Sequence, residues 1–177
     1  LLPVPYFHVV FTLPDSINSL AIHQPKLVYD TLFEATWETL QKFGKAKAIQ
    51  MGMIAVLHTW GQNLSLHPHL HCIVPGGGVD KNGVWQNIRS DGNFLFPVKA
   101  LSKIFRAKFC EKLKEKEPIK YEQIRQGLWQ KPWVVFAKKP FGSPKSVVEY
   151  LGRYTHKIAI SSHRIKNVDA QNLTFDY

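Results

Sequence analysis

Cysteine is nearly absent from this chain: Cys72 and Cys110 are the only two, far apart and not in a CxxC pair. That excludes a disulfide framework and a cysteine-based zinc finger, and it fits a reducing compartment such as the cytoplasm. No apolar run approaches the ~20 residues that span a bilayer, so no membrane role is expected. The apolar opening Leu1–Phe11 has no basic start and no small-residue cleavage site, so it does not read as a secretory signal. Methionine is missing from the first position, which fits a piece of something longer. Acidic residues are scarce too: 13 Asp+Glu face 23 Lys+Arg, leaving a net charge of +10. A surplus of that size favours a polyanionic partner. The remaining composition is ordinary, with 45% hydrophobic and 20% charged residues over 177 positions, which suits one domain (1–177) around one core.

Hydrophobic patterning supplies the elements. Tyr6–Leu13 (YFHVVFTL) is rich in β-branched and aromatic residues and stops at Pro14-Asp15, so it reads as a strand. Between Lys26 and Phe43, apolar residues at Leu27, Leu32, Phe33, Trp37 and Leu40 predict an amphipathic helix capped by Gly44. Ile49–Trp60 reads as one strand, and His69–Val74 as another that stops at Pro75-Gly76-Gly77-Gly78. Lys99–Glu117 reads as a second helix, Trp133–Ala137 as a strand, Ser146–His156 as a third helix and Ile158–Ser161 as a short strand. Strands and helices are interspersed with uneven connections, which predicts an α+β fold with an antiparallel sheet.

Two constellations carry chemistry. The first is histidine: four of the eight fall between His58 and His71, densest in His67-Pro-His69-Leu-His71. On a strand His69 and His71 share one face, with Leu70 and Cys72 on the other. Two imidazoles so placed can hold one divalent cation and leave positions open for substrate. His67, His69 and His71 also resemble the alternating motif of the histidine-triad nucleotide hydrolases, and the histidines alone leave both readings open.

The second is a tyrosine pair. On a helix Tyr150 and Tyr154 lie one turn apart on one face, with Arg153 and Lys157 beside them. A phenol, ordinarily of pKa ~10, needs its ionised form stabilised before it can attack, and nearby cations do that. Attack on a phosphodiester would store the bond as a phosphotyrosine. Lys131–Val168 holds eight basic residues, including Lys138, Lys139, Lys145, Arg153, Arg164 and Lys166, against the single acid Glu149. These are the candidate contacts for a polyanion; if it is a nucleic acid, Trp60, Trp129 and Trp133 could stack on its bases, although Trp133, in an expected strand, is better suited to packing.

Together the motifs resemble the HUH endonuclease superfamily, specifically the two-tyrosine rolling-circle transposases of bacterial insertion sequences. Phe11-Thr12-Leu13-Pro14 is similar to the first-strand motif of that superfamily. His69-Leu70-His71 matches its histidine–hydrophobic–histidine element, and Tyr150 and Tyr154 match the paired nucleophiles. Tyr154-Thr155-His156-Lys157 also fits the YxxK form of rolling-circle replication initiators. The resemblance implies a ferredoxin-like antiparallel sheet of four to five strands flanked by helices. It implies Mg²⁺ or Mn²⁺ held by His69 and His71, with His58 as third ligand and Gln62 as the alternative. It further implies catalysis by Tyr150, Tyr154 and Lys157 on single-stranded DNA at transposon ends, in the bacterial, nucleoid-associated cytoplasm. Members of this group usually begin with a cysteine-rich zinc-binding segment that is absent here, so the resemblance implies a catalytic domain without it. A triad hydrolase and a non-catalytic nucleic-acid-binding module are the alternatives.

Overall fold

The computed structural model describes residues 2–61, 63–88, 95–138, 141–155 and 164–176; of Pro144, Leu151, Arg153, Tyr154 and Thr155 it describes the backbone alone. The chain opens with strand β1 (Tyr6–Thr12), a 3-10 turn (Asp15–Ile17) and helices α1 (Asn18–His23) and α2 (Pro25–Lys45). It then runs through β2 (Gln50–Met51), β3 (Ile54–Trp60), β4 (Leu66–Pro75), β5 (Gly77–Val79) and β6 (Trp85–Asn87). Helices α3 (Val98–Lys116) and α4 (Pro118–Gln130), strand β7 (Val135–Ala137), helix α5 (Pro144–Thr155) and the ribbon β8 (Ile165–Val168) and β9 (Leu173–Phe175) follow.

The main sheet has the order β3-β4-β1-β7, and every adjacent pair in it is antiparallel. With α2 between β1 and β3, and α3 and α4 between β4 and β7, this is the β-α-β-β-α-β arrangement of a ferredoxin-like fold. Alternation along β1 sets the two faces of the sheet. Phe7, Val9 and Phe11, joined by Leu70, Cys72 and Val74 of β4, are buried in a core shared with the helix layer. In that core Phe105 of α3 meets Phe11 edge-on at 5.0 Å and Trp133 at 5.2 Å. The opposite face carries a smaller cluster, in which Tyr6 and Ile73 take Val147 of α5.

The α2–α3 seam explains where the lysines of α3 go. Lys112 meets Glu38 at 2.5 Å and Glu34 at 3.6 Å, Lys108 meets Glu38 at 3.4 Å, and Lys116 meets Glu34 at 2.8 Å. Three of the seven cations of α3 are therefore answered by α2.

Several elements differ from the sequence reading. Ile49–Trp60 is not one strand: β2 leaves the main sheet to join β5 and β6 in a second one, and only β3 pairs with β4. The histidine strand starts earlier than expected, at Leu66, and does stop at Pro75, but the glycines after it are more than a turn. Gly77 and Gly78 form β5, where a Cβ would lie 2.3 Å from the carbonyl oxygens of Gln86 and Gln50 respectively, so only glycine fits. Gly44 is not a cap, since α2 runs on to Lys45; a Cβ there would lie 2.7 Å from the Ile49 carbonyl oxygen. Helix α4 has no counterpart in the sequence reading, which ends the second helix at Glu117 and assigns nothing before Trp133. Proline is suited to the first turn, where its missing N–H costs nothing, and Pro118 opens α4 in that role. The strand expected at Ile158–Ser161 lies outside the described residues.

Candidate metal centre and tyrosine site

Register builds the site. His58 on β3 is paired directly with His69 on β4, and His71 lies between Val56 on β3 and Val10 on β1. Paired residues point to the same face and alternate residues share it, so His58, His69 and His71 converge on the face opposite the main core. One ring nitrogen from each lies within 4.8 Å of the others, and all three residues are half-buried.

The hydrogen bonds select the nitrogens. His69 Nδ1 donates to the carbonyl of His67 at 2.6 Å, which leaves Nε2 with the lone pair. That Nε2 lies 3.0 Å from Nε2 of His71. Nitrogens held ~2.1 Å from one octahedral cation lie about 3 Å apart when adjacent, so the pair fits a shared cation. Burial lowers the pKa of His69; burial, followed by His69, His58 and His8, lowers that of His71 to about 3. Both rings are thus neutral near pH 7, the form that binds metal.

A fourth imidazole completes the cluster. His8 on β1 is 5% exposed and stacks on His71 with ring centroids 5.2 Å apart and planes at 10°. Its Nε2 lies 2.9 Å from His71 Nδ1. Burial, with a smaller contribution from Lys138, lowers its pKa to about 4. The sequence reading did not single it out. The available signal was a lone histidine in an apolar strand, at the parity opposite to Phe7, Val9 and Phe11.

Helix α5 delivers the tyrosine. Ser143 caps it by accepting from the Ser146 N–H at 3.2 Å, and Pro144 fills its first position. Val147, fully buried against Tyr6 and Ile73, seats the helix on the histidine face. Tyr150 lies three residues further on, edge-on to Phe141 at 5.2 Å. Its hydroxyl reaches His8 Nε2 at 2.5 Å and His71 Nδ1 at 3.2 Å.

The other candidates fall as follows. Tyr154 and Arg153 lie on the α5 backbone, with their side chains outside the description; Lys157, Lys139 and Gln62 lie outside the described residues. Lys138 and Lys145 are exposed. Arg164 and Lys166, at the start of the β8–β9 ribbon, are both engaged by Asp176, Arg164 through the backbone carbonyl at 2.6 Å and Lys166 through the carboxylate at 2.9 Å. Trp60 stacks on His58 at 5.0 Å, Trp133 is buried, and Trp129 is exposed under the Arg106 guanidinium at 4.4 Å.

The site thus sets a cluster of imidazoles that could hold a divalent cation beside a phenol, on one face of an antiparallel α+β sheet. Residues 52–177 match the Y2_Tnp family model, described as "Putative transposase", and the chain belongs to that transposase family. It is 43% identical to "Putative transposase y4qJ" of Sinorhizobium fredii, over 96% of this chain and 47% of that protein. It is 28% identical to the transposase for insertion sequence element IS801 of Pseudomonas savastanoi pv. phaseolicola, over 98% of this chain and 44% of that protein. The chain thus spans about half the length of these curated relatives. Among solved structures it is similar to the conjugative relaxase TrwC in complex with oriT DNA, metal-bound, at 14% identity and a TM-score of 0.43, covering 63% of this chain and 44% of that one. Among the described residues no helix is long and apolar enough to cross a membrane.

Proposed function

We propose that residues 1–177 act as a transposase catalytic domain that nicks and rejoins single-stranded DNA at transposon ends in rolling-circle transposition. The observation that carries this reading is the meeting of two chemistries. The Tyr150 hydroxyl sits 3.2 Å from the back nitrogen of His71, whose other nitrogen faces the cluster of possible ligands.

His58, His69 and His71 would hold the cation. Mn²⁺ suits three imidazoles better than Mg²⁺. Bound there, it would polarise the scissile phosphate and offset charge growing on its oxygens. The phenol oxygen of a tyrosine attacks phosphorus, the bond from phosphorus to O3′ breaks, and the phenol proton ends on O3′. The products are a 5′-phosphotyrosine and a free 3′-OH. Tyr150 and Tyr154, one turn apart on α5, would serve two strands in succession without release of the first covalent link. Arg153 and Lys157 would stabilise the phenolate or the phosphate. Lys138, Lys139 and Lys145 would hold the DNA backbone, together with Arg164 and Lys166 of the ribbon.

The test is a denaturing gel. The protein is incubated with labelled single-stranded oligonucleotides copied from the DNA flanking its coding sequence, with and without Mn²⁺ or Mg²⁺. A metal-dependent covalent protein–DNA adduct is expected. Binding without any adduct would support a non-catalytic module, and metal-free turnover of a nucleotide would support a triad hydrolase.

A further inference from the structure

We propose that His8 is a positioning residue, which fixes the Tyr150 hydroxyl against His71 so that nucleophile and metal ligand move as one unit. The proposal rests on the reading of Tyr150 as a nucleophile and His71 as a ligand.

Proton accounting carries the argument. A neutral imidazole has one N–H. If His71 gives Nε2 to the cation, that N–H is on Nδ1, within 2.9 Å of His8 Nε2 and 3.2 Å of the Tyr150 oxygen. Tyr150 brings a second proton, 2.5 Å from the same His8 nitrogen. Were both donors aimed at His8, they would compete for one lone pair. One assignment pairs all three atoms that meet here: His71 Nδ1–H donates to the phenol oxygen, and the phenol O–H donates to His8 Nε2. The result is a directed chain from ligand to nucleophile to His8, with the His8 proton on Nδ1.

The scaffold around this chain is rigid. β1 is an inner strand of the sheet, hydrogen-bonded to β4 on one side and β7 on the other. His8 pairs with Ile73, two residues along β4 from His71, so backbone register alone sets the two rings side by side. Helix α5 is anchored on the same patch through Val147. A tyrosine ring on a surface helix has rotamer freedom, and an acceptor on a central strand removes it; that is how a supporting side chain raises the share of productive geometry. Ligand-orienting groups behind metal-bound histidines act in the same way. Packing alone does not ask for an imidazole here, since Val10 and Tyr6 show that the same face of β1 accepts apolar and aromatic residues.

The test compares two amides of nearly equal polarity. His8→Gln can place an oxygen where Nε2 now lies, whereas His8→Asn is one methylene shorter and falls short of Tyr150. Both proteins, with the wild type and His8→Phe, are assayed with Mn²⁺ and the flanking-DNA oligonucleotides. The adducts are assigned to Tyr150 or Tyr154 by mass spectrometry, and the fold is checked by thermal unfolding. The rate of Tyr150 adduct formation is expected to fall 10- to 100-fold in His8→Asn and His8→Phe. His8→Gln is expected to recover at least a third of the wild-type rate, and Tyr154 adducts to stay within threefold. Equal Tyr150 rates in Asn and Gln would overturn the proposal, as would parallel loss of both adducts in folded His8→Asn. Should His8→Phe fail to fold, the Asn–Gln pair decides. No Tyr150 adduct in the wild type would overturn the nucleophile reading itself, and this proposal with it, a result distinct from either of the others.

Discussion

His58 and His69 face each other across the β3–β4 ladder, on strands that run antiparallel from Ile54–Ile73 to this pair. Just beyond His58 the register slips before Trp60, so the pair sits at the last regular rung. A ligand fixed by backbone pairing needs no reorganisation to bind, and its removal should be felt directly. His58→Ala should weaken Mn²⁺ binding by at least about 100-fold, the upper end of what outer-sphere changes cost. His67→Ala should leave affinity within about threefold, because His67 serves His69 through its backbone carbonyl, which alanine keeps. Titration calorimetry with Mn²⁺ on both variants checks this, and equal losses would remove His58 from the ligand set.

Gly78 predicts a stability effect away from the histidines. A Cβ at this position would lie 2.3 Å from the Gln50 carbonyl oxygen, a backbone atom that cannot move without breaking the β2–β5 pairing. Gly78→Ala should cost about 1–3 kcal/mol, as overpacking does. Gly142, with nothing within 4 Å of a built Cβ, supplies the control, and its alanine variant should be neutral. Urea unfolding midpoints decide between them.

Charge placement predicts the salt dependence of DNA binding. Lys108, Lys112 and Lys116 of α3 are matched by Glu34 and Glu38, whereas Lys138 and Lys145 are exposed near the tyrosine helix. Replacing either of these by alanine should lower the slope of log affinity against log salt by about 0.7, the contribution of one phosphate contact on a single strand. Lys166→Ala should change it less, because Asp176 already partners that ammonium at 2.9 Å. Fluorescence anisotropy at several salt concentrations reads each slope.

How much of this was visible in the residues depends on the range of the interaction concerned. Period-two alternation placed His69 and His71 on one face, and period-3.6 spacing found α2, α3 and α5, because both signals are local. The ferredoxin-like sheet followed from the resemblance and from the interspersed pattern of elements. The division of Ile49–Trp60 between two sheets was not legible: IQMGMIAVLHTW is one apolar run, and only the pairing of β2 with β5 separates its halves. Pro118 was ambiguous between an end and a beginning, and packing of Tyr121 and Leu128 into the core decided for a helix. His8 was hidden for the same reason. Nothing in YFHVVFT says that the histidine meets a tyrosine 142 positions later, because that contact exists only once β1 and α5 share a face.

The two tyrosines give the most demanding prediction. Tyr150 is held by two imidazoles, so Tyr150→Phe removes a phenol that makes half-buried hydrogen bonds and should cost about 0.5–1.5 kcal/mol of stability. The ring contact with Phe141 survives the change, so the helix should stay seated. With Lys157 three residues on, Tyr154 is taken as the first nucleophile and Tyr150 as the second. Tyr154→Phe should then lose most of the covalent adduct on a single-site oligonucleotide. Tyr150→Phe should keep that first cleavage and fail in transposition in cells, because the second strand has no acceptor. The double variant should form no adduct. Mass spectrometry of the trapped peptide is the arbiter: reversed behaviour of the single variants would exchange the two roles, and a nucleotide on any other residue would end the tyrosine mechanism.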